Sequence, residues 1–131
     1  MAVLYKKKAS DSTAIPAIDL FQKNVKGTVL AGNGGVAYRV SDINRYFEND
    51  FLPITQKHEA KMGGRPAGME WGLAHVWKYG NGANNKQGLG FFIVPVLIDS
   101  AGKVLNYFDP ANDGYYDHSG DNLSDEGHLF P

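Results

Sequence analysis

From Trp71 the chain alternates bulky and small residues: Trp71, Leu73, His75, Trp77 and Tyr79 fall on every second position, with Gly72, Ala74, Val76 and Lys78 between them. A period of two sets all five bulky side chains on one face of a strand. Met69, Leu73, Val76 and Trp77 also fit helical spacing, but three rings in strict alternation suit a pleated surface better. Phe91 to Asp99 is the most β-like run, and Ser100-Ala101-Gly102-Lys103 returns it into Val104 to Phe108 as a hairpin. Pro95 removes one backbone donor, which predicts a sheet edge or a bulge there. The polar, glycine-containing stretch Asn81 to Gln87 reads as an exposed loop.

Upstream, Gly27 to Leu30 and Val36 to Val40 flank Ala31-Gly32-Asn33-Gly34-Gly35, a run that tolerates positive φ and predicts another hairpin. Ser41 has the character of an N-cap, with Asp42 at the positive end of a helix. Ile43, Tyr46, Phe47 and Phe51 follow at helical spacing until Pro53. A further turn or two is expected from Ile54 to Met62, stopping at Gly63-Gly64. Ala2 to Tyr5 reads as a short strand, and Ile18, Leu20, Phe21 and Val25 as a short helix or an irregular apolar wrap. Together these predict a single α+β domain over residues 1–131. Its core is a mostly antiparallel, twisted sheet of about five strands, with the helix Ser41 to Leu52 packed across one face. From Asp109 the chain turns acidic and turn-rich, an ordered loop or an arm reaching towards something else.

With 131 residues, 43% apolar and 12% aromatic, there is material for one core. The longest apolar stretch, Phe91 to Ile98, is too short to span a bilayer and carries Pro95, so no membrane is expected. Lys6, Lys7 and Lys8 follow a short apolar piece, the reverse of a signal peptide's order. Cytoplasm is therefore the default expectation, while a specialised secretion route or assembly into a particle would leave no mark. The absence of cysteine excludes disulfides, thiolate nucleophiles and cysteine-based zinc sites. A net charge of −1 argues against dedicated nucleic-acid binding. Basic residues cluster at 6–8, while Asp109, Asp113, Asp117, Asp121, Asp125 and Glu126 crowd the last quarter with no Lys or Arg among them.

That acidic run is the first chemical candidate. Asp109, Asp113, Asp117 and Asp121, spaced by four in a turn-rich loop, could converge on calcium or another divalent cation, the one cofactor the sequence suggests. The pattern is not an EF-hand: Ala111 stands at the third position and Gly120 at the twelfth. Asx-turns and solvated charge are the competing explanation. The four histidines share no metal-ligand spacing, and His58-Glu59 lacks the second His of a zinc-peptidase helix. A second candidate is the aromatic strand. If Trp71, His75, Trp77 and Tyr79 line a concavity they could stack a sugar or base, with Asp99 or Asp109 as carboxylate, although such a stripe ordinarily packs a core. The Gly32-Asn33-Gly34-Gly35 run precedes a strand rather than a helix and so reads as a turn, not a phosphate loop.

The C-terminal Asp125-Glu126-Gly127-His128-Leu129-Phe130-Pro131 resembles the Asp-Arg-Gly-His-x-x-Pro signature of the non-specific DNA and RNA endonucleases of the ββα-metal type. The resemblance implies a small metal-dependent hydrolase or nuclease-like toxin in which His128 activates water. It covers about seven residues, Glu126 stands where that family has Arg, and nothing after Pro131 supplies the family's metal-ligating Asn. The simpler alternative is a terminal segment that docks Leu129 and Phe130 into a groove. Without a recognisable catalytic set, the expectation favoured by the sequence is a non-catalytic binding or assembly protein, such as a small phage or bacterial structural subunit, inhibitor or immunity-type subunit. It would act on a protein partner or on itself through the acidic arm and exposed aromatics.

Overall fold

The computed structural model describes residues 9–28, 35–81, 87–125 and 128–130, with residues 79–81, 87–89 and 128–130 given by backbone alone. The strand expected at Ala2 to Tyr5 and most of the glycine-rich turn after Leu30 lie outside the described residues.

The fold is α+β, and its centre is a long hairpin. Strand β2 (Glu70–Asn81) pairs antiparallel with β3 (Gln87–Ile98) without interruption from Glu70↔Ile98 to Asn81↔Gln87. The alternation from Trp71 to Tyr79 therefore does form a strand. On the other side of β3, Leu97 and Ile98 pair with β4 (Val104–Leu105), and Ile93 exchanges both backbone bonds with Ser124. That makes β3 central, and almost every side chain from Phe91 to Leu97 is buried.

Pro95 sits in this central strand, not at an edge, and the unbroken register contains no bulge. The direction of the backbone explains why it is tolerated. Ile93 bonds to Ser124, Leu97 N–H to the Tyr116 hydroxyl and Asp99 N–H to the carbonyl of Lys103, so the odd-numbered residues of β3 face β4 and the C-terminal arm. The even-numbered ones face β2. The N–H that Pro95 lacks would point away from β2, between Ser124 and β4, and no bond of the long hairpin is lost.

A continuous helical rod crosses one part of the sheet: α2 (Val40–Tyr46), a π-helical turn (Phe47–Phe51) and α3 (Leu52–Met62). The helix expected to end at Pro53 instead runs through it, because Pro53 comes just after the π-helical turn. The wider winding of that turn accommodates the missing N–H. Tyr46 from α2 packs with Phe91 and Ile93, while Tyr107 and Tyr116 from the arm pack with Val94, Val96 and Leu97. At the C-terminus of α3, Gly63 takes the left-handed conformation (φ 74°) that a side chain would resist, as the Gly63-Gly64 pair predicts.

The strands do not form one sheet of about five. β1 (Gly35–Ala37) pairs antiparallel with β5 (His128–Phe130), Val36 opposite Leu129, and stands apart from the three-stranded sheet. The predicted wrap around Ile18 is a helix, α1 (Asp11–Asn24), capped by the Ser10 hydroxyl accepting from Thr13 N–H, with Asp11 in its first turn and Lys23 in its last. No helix among the described residues is long and apolar enough to cross a membrane.

Gly72 has no side chain because Ile98 lies over it: a methyl group there would overlap Cδ1 of Ile98. Gly72→Val is expected to cost about 1–2 kcal/mol, read as a lower thermal midpoint, whereas Gly72→Ala costs less because the end of Ile98 can rotate away.

Candidate functional site

Two places concentrate polar and aromatic groups. The first is the junction between α3 and the C-terminal arm. Lys57, His58 and Lys61 project from neighbouring positions of α3, Lys57 and Lys61 one turn apart. Lys57 Nζ donates to the carbonyl of Ser119 and, at 2.6 Å, to Asn122 Oδ1. Lys61 Nζ donates to the carbonyls of Asp113 (2.6 Å) and Tyr116 (2.7 Å). Between them, His58 Nδ1 accepts the backbone N–H of Asp117 at 2.8 Å. Asn122, itself buried, completes the set by donating to the Tyr107 hydroxyl and to the carbonyl of Asp117. The arm is thus bound to the helix by its main chain, and both lysines take up carbonyl groups rather than the run's carboxylates.

His58 is fully buried. Its ring stacks on Trp71 (centroids 5.6 Å apart, 27° between planes) and meets Tyr116 and Tyr107 edge-on. Trp71 is held in turn by Nε1–H donating to Glu59 Oε1 at 2.8 Å. Because Nδ1 accepts a backbone N–H, the neutral ring carries its proton on Nε2, which has no hydrogen-bond partner among the described residues. Burial, with the positive charge of Lys57 second, lowers the His58 pKa from 6.5 to about 4. A neutral, enclosed imidazole of this kind is a structural post for the arm and is out of reach of solvent-borne substrate.

The second place is the face of β2. Trp71, His75 and Trp77 lie on one side of the strand as the alternation predicts, but they have different surroundings. Trp71 is inside. His75 is exposed, with Nε2 2.8 Å from the Tyr38 hydroxyl. Trp77 is 52% exposed and meets only the edge of Phe91 among described rings. The side chain of Tyr79 lies outside the described residues. The face is therefore half core and half surface.

The four aspartates are not drawn together. Asp109 Oδ1 caps Ala111 N–H at the short 3-10 helix Pro110–Asn112, and Asp113 pairs with His118 at 3.2 Å. Asp117 accepts the hydroxyl and N–H of Ser119, which hold its carboxyl below the usual range. Asp121 lines a separate groove with Asp50 and Asp125. Among the described residues no three His, Asp or Glu are grouped to hold a metal ion. His128 takes its place in β5 opposite Ala37, and its side chain lies outside the described residues.

Sequence reasoning passed over Lys57, Lys61, Tyr107, Tyr116 and Asn122, and considered His58 only as half of a zinc motif. The one available signal was the 57, 58, 61 spacing on a helix otherwise poor in apolar residues. No protein-family model, curated protein or solved structure matches the chain.

Proposed function

We propose that this protein is a non-catalytic binding or assembly subunit that works through protein–protein contacts, with α1 as a docking element. The observation that carries the reading is the state of that helix. None of its residues is buried, and Ile15, Ile18, Leu20 and Phe21 are 46–59% exposed. An isolated helix of this length is marginal in water, and most helices in proteins are held by an apolar face packed against something. In α1, Ala14, Ile18 and Phe21 lie on one stripe. A stripe of this kind is what a groove on another protein takes up, with large residues spaced one turn apart as anchors. The half-exposed aromatic face of β2 adds a second apolar surface.

Substituting Ile18→Asp together with Phe21→Asp tests this directly, since both side chains are exposed and carry little of the internal packing. Affinity capture from cells of the source organism should recover a stoichiometric partner with the wild-type chain, and at least tenfold less with the double variant. Both should show the same thermal midpoint. Equal recovery by the two chains would remove α1 from the proposal.

A further inference from the structure

We propose that β2 is a dimerisation strand: two copies join edge to edge, antiparallel, about a two-fold axis at Ala74, fusing their three-stranded sheets into one. The inference goes beyond the role given to α1 and uses a different surface.

The sheet order β2-β3-β4 leaves the outer edge of β2 without a neighbour among the described residues. Since the even-numbered residues of β3 face β2 and pair with even-numbered residues there, the N–H and C=O groups of Trp71, Leu73, His75 and Trp77 point outward. Among the described residues none of these groups bonds to another backbone group outside the hairpin. No side chain from Trp71 to Lys78 is buried, in contrast to the enclosed β3 beside it. The edge is also long, twelve residues, where strands commonly have about 5–6. Exposed edges are usually blunted by proline, a bulge or outward-pointing charge. Here there is no proline and no bulge, and the single lysine, Lys78, is engaged by Asp125 and lies 4.3 Å over the Phe92 ring.

The sequence of this edge is complementary to itself. With the axis at Ala74, Trp71 falls opposite Trp77 of the second copy and Leu73 opposite His75. Outward-facing residues thus meet outward-facing residues, and each pair can exchange both backbone bonds. The exposed Trp77 gains a cross-strand aromatic neighbour. On the other face, Gly72 meets Val76, Ala74 meets its own copy, and exposed Glu70 stands opposite Lys78 on both sides of the axis. Among the described residues Glu70 has no ion-pair partner within its own chain, and the ammonium group of Lys78, which has three donors, can take Glu70 of the second copy beside its own Asp125. This charge complementarity, repeated by symmetry, selects a second copy over an unrelated extended peptide.

Because the chain has no cysteine, single introduced cysteines report the register cleanly. Across the axis the two Ala74 residues form a non-hydrogen-bonded pair with Cα atoms about 4.5 Å apart, a separation that a disulfide can span. Each Val76 would be four residues, roughly 13 Å, from its copy. Mild oxidation should therefore link Ala74→Cys into a covalent dimer within minutes and leave Val76→Cys unlinked. Sedimentation of the full-length wild-type chain should give twice the chain mass. His75→Pro, which removes an outward N–H and no bond of the long hairpin, should sediment as a monomer with a cooperative melt. A wild-type monomer, or a dimer indifferent to His75→Pro, would overturn the proposal, and linkage through Val76→Cys instead of Ala74→Cys would overturn the register. If His75→Pro fails to fold, the cysteine pair still decides. The α1 double variant should remain dimeric, so failure of one reading is distinguishable from failure of the other.

Discussion

Tyr116→Phe is expected to lower the free energy of unfolding by about 2–3 kcal/mol, although the substitution removes a single oxygen atom. Tyr116 is fully buried, and its hydroxyl stands where β3 and β4 would otherwise bond directly. It accepts the N–H of Leu97 at 2.9 Å and donates to the carbonyl of Leu105 at 2.6 Å. Leu97 and Leu105 are register partners, so the hydroxyl acts as a rung of the ladder supplied by a side chain from the arm. In the Phe variant both main-chain groups lose their partner, the N–H of Leu97 while buried and the carbonyl of Leu105 while partly buried, and leaving a buried donor unpaired costs far more than the net worth of a formed bond. Urea unfolding, with the slope checked for constancy, reads the difference. A loss below about 0.5 kcal/mol would mean that β4 closes onto β3 once the hydroxyl is gone. Tyr116→Ala adds a cavity between Val94, Val96, Leu97 and Tyr107 and is expected to be more damaging still.

The same residue shows where the sequence stopped being informative. Tyr116 stands in an acidic, turn-rich run whose composition reads as solvent-facing, yet Tyr116, Asn122 and Ser124 are among its buried residues. Composition reports the average of a segment, and this segment alternates between exposed aspartates and a few enclosed groups. Tyr116 and Asn122 are held from more than fifty positions away on α3, by Lys61 and Lys57, while Ser124 pairs with Ile93 of β3. No local pattern encodes that pairing.

Where the physics is local, the sequence was legible. The period-two run from Trp71, the strand at Phe91, the glycine stop at Gly63 and the α+β class all follow from spacing and backbone preference. Pro53 and Pro95 were misread for a shared reason. A proline excludes structure only where its missing N–H would have been used, and that depends on which way the backbone faces. In α3 the proline comes just after the π-helical turn, whose wider winding accommodates it, and in β3 the missing N–H faces the arm. The strand count failed differently, since β1 finds its partner at the far end of the chain. The aromatic strand kept its shape but divided its role, because α3 and the arm cover Trp71 while Trp77 is left outside.

Acidification should destabilise the protein in two stages, and His58 governs the first. Its folded-state pKa of about 4 lies below the ordinary 6.5, so the unfolded chain binds a proton at a pH where the folded chain does not. Stability is therefore unaffected by this group above pH 6.5, falls as the pH drops towards about 4, and changes no further on its account below that. A difference of this size corresponds to about 3 kcal/mol. The structural cost is specific: a protonated Nδ1 can no longer accept the N–H of Asp117, and the new charge sits between Lys57 and Lys61. Asp117 acts in the second stage. Its carboxyl is held low by the hydroxyl and N–H of Ser119, so its stabilising effect is present above its ordinary 3.8 and is lost as the pH falls through its depressed value. Chemical denaturation from pH 7 to 3 should trace the first stage. His58→Gln, whose side-chain oxygen can accept the same N–H but does not titrate, should be less stable at neutral pH and nearly flat between pH 6.5 and 4. A variant that keeps the wild-type slope would show that the acid sensitivity arises elsewhere than at the post that holds the arm.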